Sequence, residues 1–190
     1  MPRKPMYDLD DIMHQAIDVF LEHGFHGAVM DEIIARTDFN RRGFYLEFGS
    51  KQAFLYRVLE YYQSTQLQEV LAALELHRGV HAIHKFFERY LDLVQGRGCL
   101  LVNCITELGH DDERIRDIGR HYIDRLQIDF NASLERAVNA HELSKDTPIE
   151  AIALQLTSYV QGFAVNAILV QDNQELRLAT QTLLGNVNRF

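Results

Sequence analysis

The chain has 190 residues, 47% of them hydrophobic and 24% charged, a balance that suits a soluble globular fold with a buried core. Its formal net charge of −8 excludes indiscriminate binding to nucleic acid, which draws on clustered Lys and Arg, and leaves room only for a local basic patch. Cys99 and Cys104 lack the paired spacing of zinc ribbons and redox sites, so both read as free thiols. There is no run of eighteen apolar residues and no signal-peptide pattern after Met1, so a cytoplasmic location with no membrane partner is expected.

Apolar residues recur with the helical period and strand-like alternation is nearly absent, which makes the expected fold class all-α, with about nine helices. The first helix spans 8–23, burying Ile12, Ala16, Ile17 and Phe20 and stopping at Gly24. A short second helix covers 31–37. Asp38 and Phe39 form a tight turn, and Asn40 caps a third helix that ends at Phe48 and Gly49, so that two short helices with a turn between them make a helix-turn-helix.

Ser50 caps a fourth helix running unbroken to Leu76, and Gly79 interrupts the pattern. A fifth helix over 80–95 leads into the Gly96-Arg97-Gly98 loop, followed by a short sixth over 100–108 and a long seventh over 113–141. Thr147, Pro148 and Glu150 stand as N-cap, N1 and N3 of an eighth helix ending near Val170, the pattern of a capping box, and a ninth spans 174–187. With no linker in sight, residues 1–52 are expected to form a DNA-binding domain packed directly on a 53–190 body.

A helix opening at Asn40 can enter the major groove with its first residues, where Arg41 and Arg42 would read guanine O6 and N7. Gly43 lets the backbone approach DNA, Tyr45 can bond a phosphate, and Lys51 can share one with the free N–H groups at the start of its helix. From Gly24 the stretch GFHGAVMDEIIARTDFNRRGFYLEFGSK resembles the DNA-binding signature of the tetracycline-repressor (TetR) family. The likeness lies in Gly24-Phe25, in Asp31 and Ile33, and in the closing Phe44, Tyr45, Phe48, Ser50 and Lys51. It implies a homodimeric, ligand-responsive repressor that binds a palindromic double-stranded operator through Asn40, Arg41, Arg42, Gly43, Tyr45 and Lys51, and is released by a small-molecule effector. Five positions depart from the family, one of them Arg42, which replaces a small residue and adds charge. Ala28 and Val29 replace a capping hydroxyl, Asp38 replaces a glycine, and Glu47 stands where a phosphate-contacting histidine is usual, free to accept from cytosine N4 or to pair with Arg41 or Arg42. Arg3 and Lys4 read as a tail in preference to a DNA-contacting arm.

Aromatic and polar residues at helical spacing in the body suggest an effector pocket lined by Phe86, Tyr90, Asn103, Glu107, Tyr122, Gln155, Tyr159 and Phe163. The resemblance places the dimer interface on the last two helices, with Phe163 and Leu183 in it. No cofactor, metal or catalytic site is expected. His77, His81 and His84 are broken by Gly79, and Glu107 with His110 forms a single ExxH where a di-iron bundle needs two. The rival reading is a helical small-molecule binding protein or enzyme whose helix-turn-helix no longer binds DNA. Its support is the acidic charge, Ala28, Val29 and Glu47.

Overall fold

The computed structural model describes residues 8–170 and 173–187; Arg3 and Lys4 lie outside the described residues. Among the described residues ten α-helices follow one another: α1 Leu9–Gly27, α2 Met30–Arg36, α3 Arg41–Phe48, α4 Lys51–Tyr62, α5 Gln68–Leu76, α6 Gly79–Val94, α7 Leu100–Leu108, α8 Glu113–Asn139, α9 Ile149–Leu169 and α10 Asn173–Val187. Among the described residues there is no strand.

Local chemistry sets most of the boundaries. The Asp8 carboxylate caps α1 at the N–H of Asp10, the Asn40 side chain caps α3 at Gly43, and Ser50 caps α4 at Ala53. Gly49 leaves α3 at φ 77°, and Asp38 takes the left-handed turn at φ 50°, a conformation its short polar side chain tolerates. Val29 precedes α2 with no side-chain cap, as the missing hydroxyl implies.

Three expectations fail for identifiable reasons. The first helix does not stop at Gly24 but bends there, at a φ of 67° that glycine allows, and runs on to Gly27. The fourth helix is not continuous, because a π-helical turn at Gln63–Leu67 joins α4 to α5. Ser64 and Thr65 turn their hydroxyls back onto the Tyr61 carbonyl, competing with the regular backbone ladder. The capping box before α9 also does not form. Pro148, at ψ 72°, is itself the N-cap, and the Thr147 hydroxyl is buried with no partner among the described residues.

The first three helices close on an aromatic cluster with the start of α4. Phe54 lies 4.5 Å from Phe48 and 4.9 Å from Phe44 between ring centroids, and Phe20 and Phe39 complete the packing. Such ring pairs each stabilise by about 0.5–1.5 kcal/mol beyond their burial. In the body, α5 packs on α6, α8 on α6 and α9, and α10 on α6 and α9. By length and composition α9 could cross a membrane, yet Ile152, Leu156, Val160 and Phe163 are buried in the body core. α4 serves both units, with Phe54 in the N-terminal cluster and Tyr62 in the body.

Candidate nucleic-acid interface and its coupling to the body

Helix α3 divides its residues by face. Phe44 and Phe48 are buried and fix it to Phe54, whereas Arg41, Arg42, Tyr45, Leu46 and Glu47 are exposed. Arg41 is paired with Asp31 on α2 rather than with Glu47, which steadies the guanidinium at the open end of α3. Tyr45 rests its ring edge-on against Phe44, 5.7 Å away, while remaining 43% exposed. Leu46, 78% exposed, is a surface residue that the motif reading passed over, since a lone apolar residue carries no signature in sequence. Gly43 has an internal role as well. A Cβ there would lie 2.9 Å from the Asn40 amide and 3.2 Å from the Phe39 ring, so glycine makes room for the cap.

The first of the two short helices, α2, is tied to α1 by polar contacts. Glu22 accepts from Arg36 at 2.6 Å, and the His23 imidazole meets Glu32 at 2.9 Å. Glu22, His23 and Glu32 also form a group with metal-ligand spacing, but these pairings already occupy both carboxylates.

Lys51 does not stand free on the outer surface. Its ammonium donates to the carbonyls of Phe25 at 2.7 Å and Ala28 at 2.9 Å, and sits 4.4 Å from the centre of the Phe25 ring. Desolvation lowers its pKa, while the nearby Glu107 carboxylate acts in the opposite sense. The same carboxylate accepts from the backbone N–H groups of Phe25 and His26, each at 2.8 Å. α1 changes direction here, because Gly24 adopts φ 67°, ψ −178°, a region essentially reserved for glycine. A Cβ on Gly24 would lie 2.9 Å from Glu107 Oε2. Glu107 therefore clasps the bend of α1 from α7, and Lys51 clasps it from α4.

A second tie holds α4 to α8. Asp112 caps α8 at Ile115 and accepts from Tyr56 at 2.6 Å and Gln52 at 2.5 Å. Desolvation pushes this carboxyl up, but these donors together bring it below the usual carboxylate range. Arg97 in the loop before α7 adds a third tie, to Asp18 on α1 at 2.5 Å.

The residues expected to line an effector pocket separate into two groups. Phe86, Tyr90, Tyr122 and Phe163 are buried together, with Phe86 stacked on Tyr90 at 5.7 Å and Phe163 at 5.9 Å from Tyr90; Tyr159 joins them at the edge, 5.6 Å from Phe163. Asn103, Glu107 and Gln155 do not join them. On α7 the residues Leu100, Leu101, Cys104 and Leu108 are buried in the body, which leaves Asn103 and Glu107, one turn apart, on the face toward α1 and the preceding loop. Asn103 accordingly donates to the Arg97 carbonyl and Glu107 takes the α1 amides, while Gln155 is exposed on α9. Cys99 and Cys104 are buried free thiols, and burial, with Glu107 and Cys99 adding to it, pushes Cys104 up to about 12.

Residues 79–183 match the family model described as Tetracyclin repressor-like, C-terminal domain, and residues 12–58 match that of Bacterial regulatory proteins, tetR family. The chain belongs to the TetR family of bacterial transcriptional regulators. Among TetR-family relatives, it is 27% identical over 163 residues to the uncharacterized HTH-type transcriptional regulator YezE of Bacillus subtilis (strain 168), covering 82% of this chain and 84% of that protein. It is 24% identical to the HTH-type transcriptional repressor DhaR of Mycobacterium sp. (strain GP1), covering 86% of this chain and 83% of that protein. The fold is similar to that of a cysteine mutant of the TetR family regulator CifR complexed with operator DNA, with a TM-score of 0.77 at 22% identity over 98% of this chain and 97% of that one. A TetR regulator from Chloroflexus aurantiacus J-10-FL gives a TM-score of 0.82 at 20% identity, covering 94% and 92%.

Proposed function

We propose that this TetR-family chain is a cytoplasmic, ligand-responsive repressor that binds a palindromic operator as a homodimer and is released by a small-molecule effector. Residues 1–52 act as the DNA-binding domain and residues 53–190 as the effector-binding and dimerisation domain. The observation that carries the reading is the posture of α3. Its buried Phe44 and Phe48 lock it in place while Arg41, Arg42 and Tyr45 are left on the surface. Arg41 and Arg42 read base edges, Tyr45 bonds a phosphate, and Leu46 offers an apolar contact for a thymine methyl. Lys51 spends two of its three donors on the α1 bend, and its third joins the N-terminal amides of α4 at a phosphate.

A dimer rests on α9 and α10. Leu154, Val165, Ile168 and Leu178 are exposed at 54%, 43%, 47% and 65%, and neither Gly162 nor Gly185 has anything within 4 Å of a Cβ position, so a second copy can approach closely there. Phe163, expected at this interface, is 1% exposed and belongs to the protomer core instead.

Gel-shift titration against the DNA upstream of the chain's own coding sequence, at fixed salt, tests the proposal. Arg42→Ala should weaken operator binding by about 1–3 kcal/mol and relax one base position in each half-site. Arg41→Ala should behave similarly. Unchanged affinity and base preference in both folded variants would remove α3 as the reading head.

A further inference from the structure

Four polar groups meet inside the body: Tyr62 at the end of α4, Tyr90 on α6, Cys99 at the start of α7 and Tyr122 on α8. Their exposures are 1%, 0%, 0% and 5%. The Tyr62 hydroxyl donates to Cys99 Sγ at 3.6 Å. The Tyr90 hydroxyl faces Cys99, Tyr62 and Tyr122 but meets hydrogen-bond geometry with no partner among the described residues. Among the buried hydroxyls of the body, Thr157 is satisfied by the Ala153 carbonyl and Ser133 by Arg136, whereas the Thr147 hydroxyl before α9 is, like that of Tyr90, unpartnered among the described residues. An unpaired hydroxyl is a standing penalty in a folded core, and the Tyr90 hydroxyl has its hydrogen-bonding capacity unengaged in good geometry although two phenols and a thiol stand beside it.

A pocket of about 180 Å³ opens beside this cluster, between the π turn and α8, lined in part by Gln63, Leu67, His121, Tyr122 and Arg125. Tyr122 is the one member of the cluster that also lines the pocket. The π turn begins directly after Tyr62, so the widened backbone flanks the entrance. A cavity of roughly 150 Å³ holds benzene, which sets the size of a guest at one ring. Its charge is set by the donors. Burial pushes the Tyr62, Tyr90 and Tyr122 phenols up and keeps them protonated. The permanent cation at the rim, Arg125, is already paired with Asp129 at 2.6 Å and Glu75 at 2.8 Å, so its charge is balanced before any carboxylate arrives.

Building on the regulator reading above, we propose that the effector is an uncharged molecule of about one-ring size carrying a carbonyl-type oxygen, admitted beside the π turn past Tyr122 and held by the hydroxyls of Tyr90, Tyr62 and Tyr122. Its oxygen supplies the acceptor that Tyr90 lacks and draws the Tyr62 hydroxyl from Cys99. Both partners of that bond lead to the DNA-binding head. Tyr62 ends the helix that begins at Lys51, and Cys99 begins the helix that carries Glu107, the two side chains that clasp the α1 bend. Separating Tyr62 from Cys99 thus loosens the hold on the head from both helices.

Calorimetric titration of the full chain with acetophenone, ethylbenzene and benzoate separates the three kinds of one-ring guest: a neutral acceptor, no acceptor and a charged one. Acetophenone should bind, ethylbenzene more weakly, and benzoate not at all. Tyr90→Phe should weaken acetophenone about threefold to tenfold, leave ethylbenzene unchanged, and raise the melting temperature of the free protein by removing the orphan hydroxyl. Tyr62→Phe should weaken acetophenone in the same sense. The proposal is overturned if acetophenone gives no heat at millimolar concentration, if benzoate binds more tightly than acetophenone, or if Tyr90→Phe leaves acetophenone affinity unchanged. The gel shift keeps the two readings apart. Probe binding without operator binding leaves this site standing and removes the regulator, and operator binding without probe binding does the reverse.

Discussion

Replacing Glu107 by alanine removes the acceptor of two backbone N–H groups and the counter-charge beside Lys51 in one step. Hydrogen bonds to a charged group contribute about 1.5–3 kcal/mol each where water is excluded. The His26 N–H is exposed, so water replaces most of its bond; the Phe25 N–H is part-buried and bears most of the loss. The total comes to about 2–3 kcal/mol, counting the lysine that loses its neighbour. For a 190-residue chain each kcal/mol moves the melting temperature by about 2–4 °C, so Glu107→Ala should melt roughly 5–10 °C lower. Glu107→Gln, whose one amide oxygen can serve only one of the two donors, should fall between. Thermal denaturation followed by circular dichroism gives the shift, and hydrogen exchange at the Phe25 and His26 amides locates it. A melting temperature within about 1 °C of wild type, with unchanged exchange at those two amides, would show that the clasp does not hold the α1 bend in solution.

Three further outcomes are open to direct measurement. Asp112 has its folded pKa lowered, so its contribution to stability is complete above the unfolded value of about 3.9 and is lost as pH falls through the folded one. Asp112→Asn should therefore be less stable at neutral pH and lose less stability on acidification; a melting curve parallel to wild type at every acidic pH would contradict this. Cys104, pushed up to about 12 by burial, should resist iodoacetamide near neutral pH and react only after unfolding in urea, as read by mass spectrometry. Rapid labelling of the native chain would refute that. Leu154→Glu with Ile168→Glu should give a helical monomer in sedimentation, whereas Phe163→Glu should unfold the protomer; a wild-type monomer at micromolar concentration would exclude the proposed interface.

Where local chemistry decides, the sequence was sufficient. The Asn40 and Ser50 caps, the left-handed Asp38 and the span 100–108 follow from the preferences of residues a few positions apart, and the structure reproduces them, whereas at Gly24 the first helix bends and runs on to Gly27. The division of α3 into buried phenylalanines and exposed arginines was equally legible, because a helical period assigns each residue its face. The π turn left a faint trace in the polar run Gln63-Ser64-Thr65-Gln66, which a window tuned to period 3.6 absorbs.

Contacts between distant segments had no such trace. Glu107 lies 82 residues from Phe25, and nothing in either neighbourhood announces that a carboxylate on α7 will close on the bend of α1. The same is true of Asn103 and Gln155, which share the polarity of a pocket lining but point elsewhere, and of Phe163, whose apolar ring suits a core and a dimer interface alike. Periodicity says which residues of a helix share a face; only the packed bundle says what that face meets. The sequence by itself therefore determined most of the helices, the Asn40 and Ser50 caps and the helix-turn-helix, since these depend on short-range propensity and pattern. The tertiary structure alone decided how the head is fastened to the body and where three phenols and a thiol are enclosed, since both depend on which helix faces are brought together.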